Sequence, residues 1–200
     1  MKTNPSIVYS GDYFALSRDA LIDQVRKQMG PKRFEHVLRV EQAALALAER
    51  YQVSLEKASI AALTHDYAKE QDDQKMKHLI ETEKLDSDMI PFGNNIWHGP
   101  CGAVMVQKEL GITDEDILNA IRHHTIGAPK MSLLEQVIYV ADYIEEARDF
   151  PGVEEARALA FDSLEKVVAY ETHHTLSYLI ENRKAVYPKA IETYNAWTAK

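Results

Sequence analysis

A histidine followed at once by an aspartate, His65-Asp66, stands inside an ordered series: His36, His65-Asp66, His98, His123-His124, Asp142. Neutral imidazoles and carboxylates are the donor set that first-row divalent metals prefer. Successive groups lie 18 to 32 residues apart. That is too far for a zinc finger, and it suits helices that each donate one or two ligands into a bundle core. One chemistry open to such a set is metal-assisted hydrolysis. Two ions about 3.5–4 Å apart share a water, lower its pKa and clamp the oxygens of an in-line displacement.

No single member carries the reading. His36 alone on an amphipathic helix would more often be a hydrogen-bonded core histidine. His65-Asp66 could close a helix, where a protonated histidine is favourable but an aspartate is not. His98 beside Trp97 reads equally as a surface aromatic pair. Asp142 is harder to dismiss, because it interrupts the apolar run Val137-Ile138-Tyr139-Val140-Ala141 and aspartate is rarely buried without a partner. Jointly, the order and the apolar stripes favour a metal site. Of the pair His123-His124, the stripe Ile117, Ala120, Ile121, His124 turns His124 inward. His123 then lies in a supporting or solvent-facing position. A second pair, His173-His174, has no carboxylate at ligand spacing and reads as a solvated helix face. Cys101 reads as a small packed hydrophobe.

The elements that must position these groups read as helices. An amphipathic helix over about 17–28 stops at Gly30-Pro31. A second, over about 32–51, carries Phe34, Val37, Leu38, Leu45, Ala48 and Tyr51 on one stripe. Ser54 caps a third, with Ala58, Ala61, Ala62 and His65. A short helix covers 72–84. The segment Pro91 to Asn95 reads as a loop delivering His98, with Pro100 near the first position of the next helix, which ends at Gly111. Thr113 with Asp116 resembles a capping box for the helix of His123-His124, and Ser132 with Glu135 forms a clearer one for the helix of Asp142. A helical tail runs from about 153 to 198, broken before Pro188. The expected architecture is one all-α domain over 1–200, a helical bundle with a core of about 20–150 and C-terminal helices 153–198 packing on it.

Composition narrows the partners. The chain has 200 residues, 46% of them hydrophobic, one cysteine and a formal net charge of −8. Acidity disfavours nonspecific nucleic-acid binding. No apolar run approaches the roughly 20 residues that span a bilayer. The N-terminus lacks a secretory pattern. A lone cysteine fits a reducing compartment, so the expectation is a cytoplasmic protein with no membrane partner. The oligomeric state stays open, a homodimer included. Two divalent ions against Asp66 and Asp142 would make a positive site inside this acidic protein, able to host a polyphosphate. Lys69, one helical turn past His65 if that helix persists, and Arg33, three residues before His36, would share the site's face. The bland alternatives are a solvated lysine and a surface ion pair.

The pattern H…HD…D resembles the HD-domain metal-dependent phosphohydrolase superfamily. Within it, Arg33-Phe34-Glu35-His36, His65-Asp66-Tyr67-Ala68-Lys69, His98-Gly99-Pro100, Ile121 to Gly127, Ala141 to Glu145 and Arg148 to Gly152 resemble the YqeK-type bacterial symmetrical dinucleoside tetraphosphatases. The likeness spans roughly residues 20–195. Glu146 departs from it, standing where the pattern has proline. The resemblance implies a di-iron site and cleavage of diadenosine tetraphosphate into two ADP. It implies that His36, His65, Asp66 and Asp142 hold one metal, and that Asp66 bridges to a second held by His98 and His124. It implies phosphate contacts from Arg33, Lys69, Thr125 and Arg148, with Asp66 and Lys69 as the catalytic pair. Donor chemistry alone would also accept manganese, cobalt or zinc. The rival readings are a cyclic dinucleotide phosphodiesterase, a mixed-valent di-iron oxygenase, and a nucleotide-binding regulator without turnover. The absent GYP signature counts against the first, and the Lys and Arg residues fit phosphate better than the second.

Overall fold

The computed structural model describes residues 7–199, and every regular element among them is helical. Ten α-helices follow in order: α1 Arg18–Arg26, α2 Pro31–Arg50, α3 Leu55–Thr64, α4 Asp73–Thr82, α5 Asn94–Leu110, α6 Glu115–His123, α7 Leu133–Ile144, α8 Val153–Asp162, α9 Leu164–Glu181 and α10 Pro188–Trp197. A 3-10 turn at Ser87–Phe92 precedes α5.

Local chemistry accounts for most boundaries. Ser54 accepts from the Lys57 amide to start α3. Ser132 and Glu135 complete the reciprocal capping box of α7. Gly111, at φ +70°, ends α5. Four expectations change. The cap of α6 is Asp114, which accepts from Ile117 N at 3.1 Å, and not Thr113. The stretch Pro91–Asn95 is not a loop: Gly93, at φ +74°, turns the chain directly into α5, so Pro100 sits in the second turn of that helix and His98 just before it. Trp97 is buried rather than superficial, its indole N–H donating to Met89 O at 2.7 Å. The C-terminal tail is three helices, because extended backbone at Ser163 (ψ 121°) separates α8 from α9 as well as the expected break before Pro188.

The core gathers around α7. This helix packs against α2, α3, α6, α8 and α9, and Val137, Ile138, Val140 and Ala141 are wholly buried. A helix apolar all round belongs inside, which is why a polar residue on it needs partners. Ala58, Ala61 and Ala62 line α3 with no exposed surface, letting neighbouring backbones approach. Gly99 does the same between α5 and α6. A Cβ there would stand 2.9 Å from Arg122 O and 3.2 Å from Ile121 O. That closeness sets His98, the preceding residue, against the end of α6 that carries His124. Among the described residues no helix is long and apolar enough to cross a membrane.

Candidate metal centre

Five elements deliver one group or two each to a common point. His36 comes from α2, His65 and Asp66 from the turn after α3, His98 from α5, His124 from the end of α6 and Asp142 from α7. The four imidazoles and Asp66 are at most 6% exposed. Asp66 sits at the middle. Its Oδ2 lies 3.6 Å from His36 Nε2 and 3.4 Å from His65 Nε2. Its Oδ1 lies 3.4 Å from His98 Nε2 and 3.7 Å from His124 Nε2. Asp142 Oδ1 is 3.1 Å from His36 Nε2. Three overlapping donor groups result: His36, His65 and Asp66; His65, His124 and Asp142; Asp66, His98 and His124.

Every imidazole presents the same nitrogen. His65 Nδ1 bonds Ala62 O, His98 Nδ1 bonds Asn94 O and His124 Nδ1 bonds Ile121 O, each at 2.7 Å. A carbonyl only accepts, so each Nδ1 carries the hydrogen and each Nε2 offers a lone pair. His36 Nδ1 instead meets the Glu145 carboxylate at 3.2 Å. Outer partners of this kind fix the tautomer and orientation of metal-binding histidines.

The donor set fits divalent cations. His36 Nε2 and His65 Nε2 are buried without a hydrogen-bond partner of acceptable geometry. His98 Nε2 and His124 Nε2 face one another at 2.9 Å, although both Nδ1 atoms already hold the hydrogen. Burial, then the neighbouring His124, lowers the His98 pKa to about 3. Thr125 Oγ1, 3.1 Å from each, has one hydrogen and can satisfy only one. Converging lone pairs around a carboxylate call for positive charge. Burial alone would raise Asp66, but its attraction for positive charge on the surrounding rings, His65 first, outweighs burial and holds the carboxyl well below its ordinary range. Asp142 is likewise lowered, with His36, His65 and Arg148 outweighing burial.

Cations ring the centre. Arg33 Nη1 pairs with Asp66 Oδ2 at 2.7 Å, and Arg148 Nη2 with Asp142 Oδ1 at 2.5 Å. Helix α3 ends at Thr64, so Lys69 is not one helical turn past His65. It belongs to the following turn, with its amide bonded to Asp66 O, and its Nζ comes within 3.5 Å of His98 Nδ1. Burial lowers the Lys69 pKa against the pull of Asp66. Lys69, Thr125 and Arg148 border a cavity of about 680 Å³; Arg33, His36 and Arg148 border another of about 500 Å³.

His123 points elsewhere, its Nδ1 2.6 Å from Glu135 Oε1, tying α6 to α7. His174 is not simply solvated: it bonds the Tyr143 hydroxyl at 2.7 Å and stacks on Tyr170. Cys101 is buried, as a packed hydrophobe would be. Glu145 carries a role that spacing gave no sign of. It is 3% exposed, its Oε2 accepts from Arg39 Nε at 2.7 Å and Ala147 N at 2.8 Å, and its Oε1 steers His36. The clasp on Ala147 also closes the end of α7, where Glu146 replaces the resemblance's proline.

The chain resembles known proteins over most of its length. The HD domain family model matches residues 33–147. A Bacillus subtilis (strain 168) protein named "Bis(5'-nucleosyl)-tetraphosphatase, symmetrical" is 43% identical over 90% of this chain and 97% of its own length. A Staphylococcus aureus protein of the same name is 37% identical over 85% of this chain and 89% of its own. A crystal structure described as a "predicted HD superfamily hydrolase involved in NAD metabolism", from Clostridium acetobutylicum, superposes with a TM-score of 0.86 at 38% identity, covering 91% of this chain and 97% of that one. The chain belongs to the HD-domain family, in the group of symmetrical bis(5'-nucleosyl)-tetraphosphatases.

Proposed function

We propose that this hydrolase cleaves dinucleoside tetraphosphates symmetrically, diadenosine tetraphosphate to two ADP, using two divalent ions, iron first among them. His36, His65, Asp66 and Asp142 would hold one ion, and Asp66, His98 and His124 the other. The observation that carries this reading is the convergence of four Nε2 atoms on one buried carboxylate, every Nδ1 being tied away. The names of relatives matched over nearly their whole length point to the same substrate. When bound, such ions supply Lewis acidity and positive charge beside a phosphoryl group.

The chain's own residues divide the remaining work. Arg33 and Arg148 stand next to the two ligand carboxylates, where guanidinium forks can also meet phosphate oxygens. Lys69, partly withdrawn from water, puts a cation where charge develops on the phosphoryl oxygens. Thr125 offers a hydroxyl at the same mouth. Asp66 alone faces all four imidazoles, which suits it to the bridging position. On this reading the chain is one domain that works in the cytoplasm on a small nucleotide, with no membrane or nucleic-acid partner. Manganese, cobalt or zinc would suit the same donors.

Chromatography of products from purified enzyme with Fe(II) or Mn(II) tests the reading. The expected result is two ADP per diadenosine tetraphosphate. AMP plus ATP would put the attack at an outer phosphate. Failure on this substrate with efficient cleavage of cyclic dinucleotides would reassign the site.

A further inference from the structure

Two cavities open beside the centre and share one residue, Arg148. They differ in chemistry. The larger, about 680 Å³, starts at Lys69 and Thr125 and runs between the start of α5 and α9. Phe92, Ile96, Ile126, Leu176, Leu179 and Tyr187 form its apolar wall. The Phe92 and Tyr187 rings meet edge to face with centroids 5.1 Å apart. Tyr187 is buried, and its hydroxyl donates to Asp86 Oδ2 at 2.8 Å, so the ring is fixed and its polar tip satisfied. Among the described residues no carboxylate lines this cavity, and its charged groups are Lys69, Arg148 and Lys184. A concave, mostly apolar pocket with a few placed polar groups suits a base and sugar. Cations at its mouth suit the phosphates that follow.

The second cavity, about 500 Å³, is ionic. Lys32, Arg33, Arg39 and Arg148 face Glu70, Glu145 and Asp149 across it. Phe150 is its aromatic residue, and that ring is already packed on Tyr143 at 4.7 Å and stacked on His174 at 5.9 Å. This cleft offers donors to phosphate oxygens without an apolar slot for a base.

We propose that the enzyme recognises one nucleoside of its substrate, in the apolar cavity between α5 and α9, and reads the distal half only as phosphate along the Arg33–Arg148 cleft. The inference rests on the dinucleoside tetraphosphate reading and narrows it. It also predicts a further activity: nucleoside 5'-tetraphosphates, which lack the second nucleoside, are substrates. A water oxygen bonds to the third phosphorus from the nucleoside, and the bridge between the second and third phosphorus breaks. The nucleoside diphosphate leaves with the bridging oxygen, pyrophosphate is the other product, and the proton released passes to solvent.

The test compares diadenosine tetraphosphate with adenosine 5'-tetraphosphate on the metal-loaded full chain, with products resolved by chromatography. Expected is ADP plus pyrophosphate from the second substrate, at a kcat/KM within about tenfold of the first. A larger deficit, with diadenosine tetraphosphate turned over normally, means that the second nucleoside is recognised and overturns the inference while sparing the hydrolase reading. Failure on both substrates sinks the hydrolase reading and this one with it. Thr175 lines the apolar cavity, and Thr175→Trp fills it. A variant whose circular dichroism matches the wild type should bind ADP at least about tenfold more weakly by calorimetry, with KM raised for both substrates. Unchanged ADP affinity in that folded variant would put the nucleoside elsewhere and overturn the assignment.

Discussion

His124 and His174 each close a His-His pair on a helix, and each has its Nδ1 hydrogen-bonded. They stand in opposite surroundings. His124 is 2% exposed, and its Nε2 faces His98 and Asp66 across a gap lined by lone pairs. His174 spends its Nδ1 on the Tyr143 hydroxyl, and its ring stacks on Tyr170 and Phe150. Around His124 several elements converge on one carboxylate. Around His174 aromatic faces converge on each other. A histidine becomes a candidate cation donor where its far nitrogen is tied to a backbone carbonyl and its near nitrogen meets a carboxylate shared with other imidazoles, as His124 does and neither His123 nor His174 does. Without those it becomes packing.

The largest expected effect is at the carboxylate that makes the difference. Asp66→Ala should lower turnover of diadenosine tetraphosphate by more than about 1,000-fold, some 4 kcal/mol of transition-state stabilisation. Retention of even a tenth of the activity would break the comparison at its centre. Next come the histidines. His124→Ala should cost at least about a hundredfold in kcat/KM, whereas His174→Ala and His123→Ala should each stay within about tenfold. His123→Ala should still lower thermal stability, because it unties α6 from Glu135, by about 1 kcal/mol. Equal activity losses at 123 and 124 would mean the wrong face of α6 was chosen.

Glu145→Gln sharpens the account because it replaces no proposed metal donor and changes only the carboxylate behind His36. Losing the carboxylate that steers His36 should weaken metal binding about 10–100-fold, read by titration with a chelator. Unchanged affinity would reduce Glu145 to a helix-end clasp. The smallest effect lies on the α9 side. Glu171 is buried with Oε2 unpartnered, and burial, reinforced by Asp142, holds its pKa well above the ordinary carboxylate value. The folded chain therefore keeps a proton that the unfolded chain releases above about pH 4.3. The group's contribution to stability is full below that pH and falls as pH rises toward the folded pKa. In metal-stripped protein, Glu171→Gln should raise Tm by about 2–4 °C near pH 8 and leave it unchanged near pH 4. An equal shift at both pH values would remove the titration from the explanation.

Much of the candidate centre was legible in the sequence because its candidate donors are polar residues placed on apolar stripes. Asp142 within Val137–Ala141 and His124 after Ile117, Ala120 and Ile121 are visible as interruptions of a pattern. His98 was legible as a candidate donor but not as a helical residue. Proline normally marks a first turn, whereas here Gly93 starts α5 before it. Ser163 hid the α8–α9 break, since a serine between apolar helical runs is unremarkable until its backbone is extended. Glu145 could not be assigned a role from spacing. Its partner His36 is 109 residues away, and only packing of α7 on α2 brings them together. The two cavities are likewise products of tertiary structure, their walls drawn from segments remote in the chain.

Anomalous diffraction from crystals of the metal-loaded enzyme tests the central claim most directly. The account predicts two peaks about 3.5–4 Å apart. One should be bounded by His36, His65, Asp66 and Asp142, and the other by Asp66, His98 and His124. A single peak, with His98 and His124 turned away from it, would contradict the account.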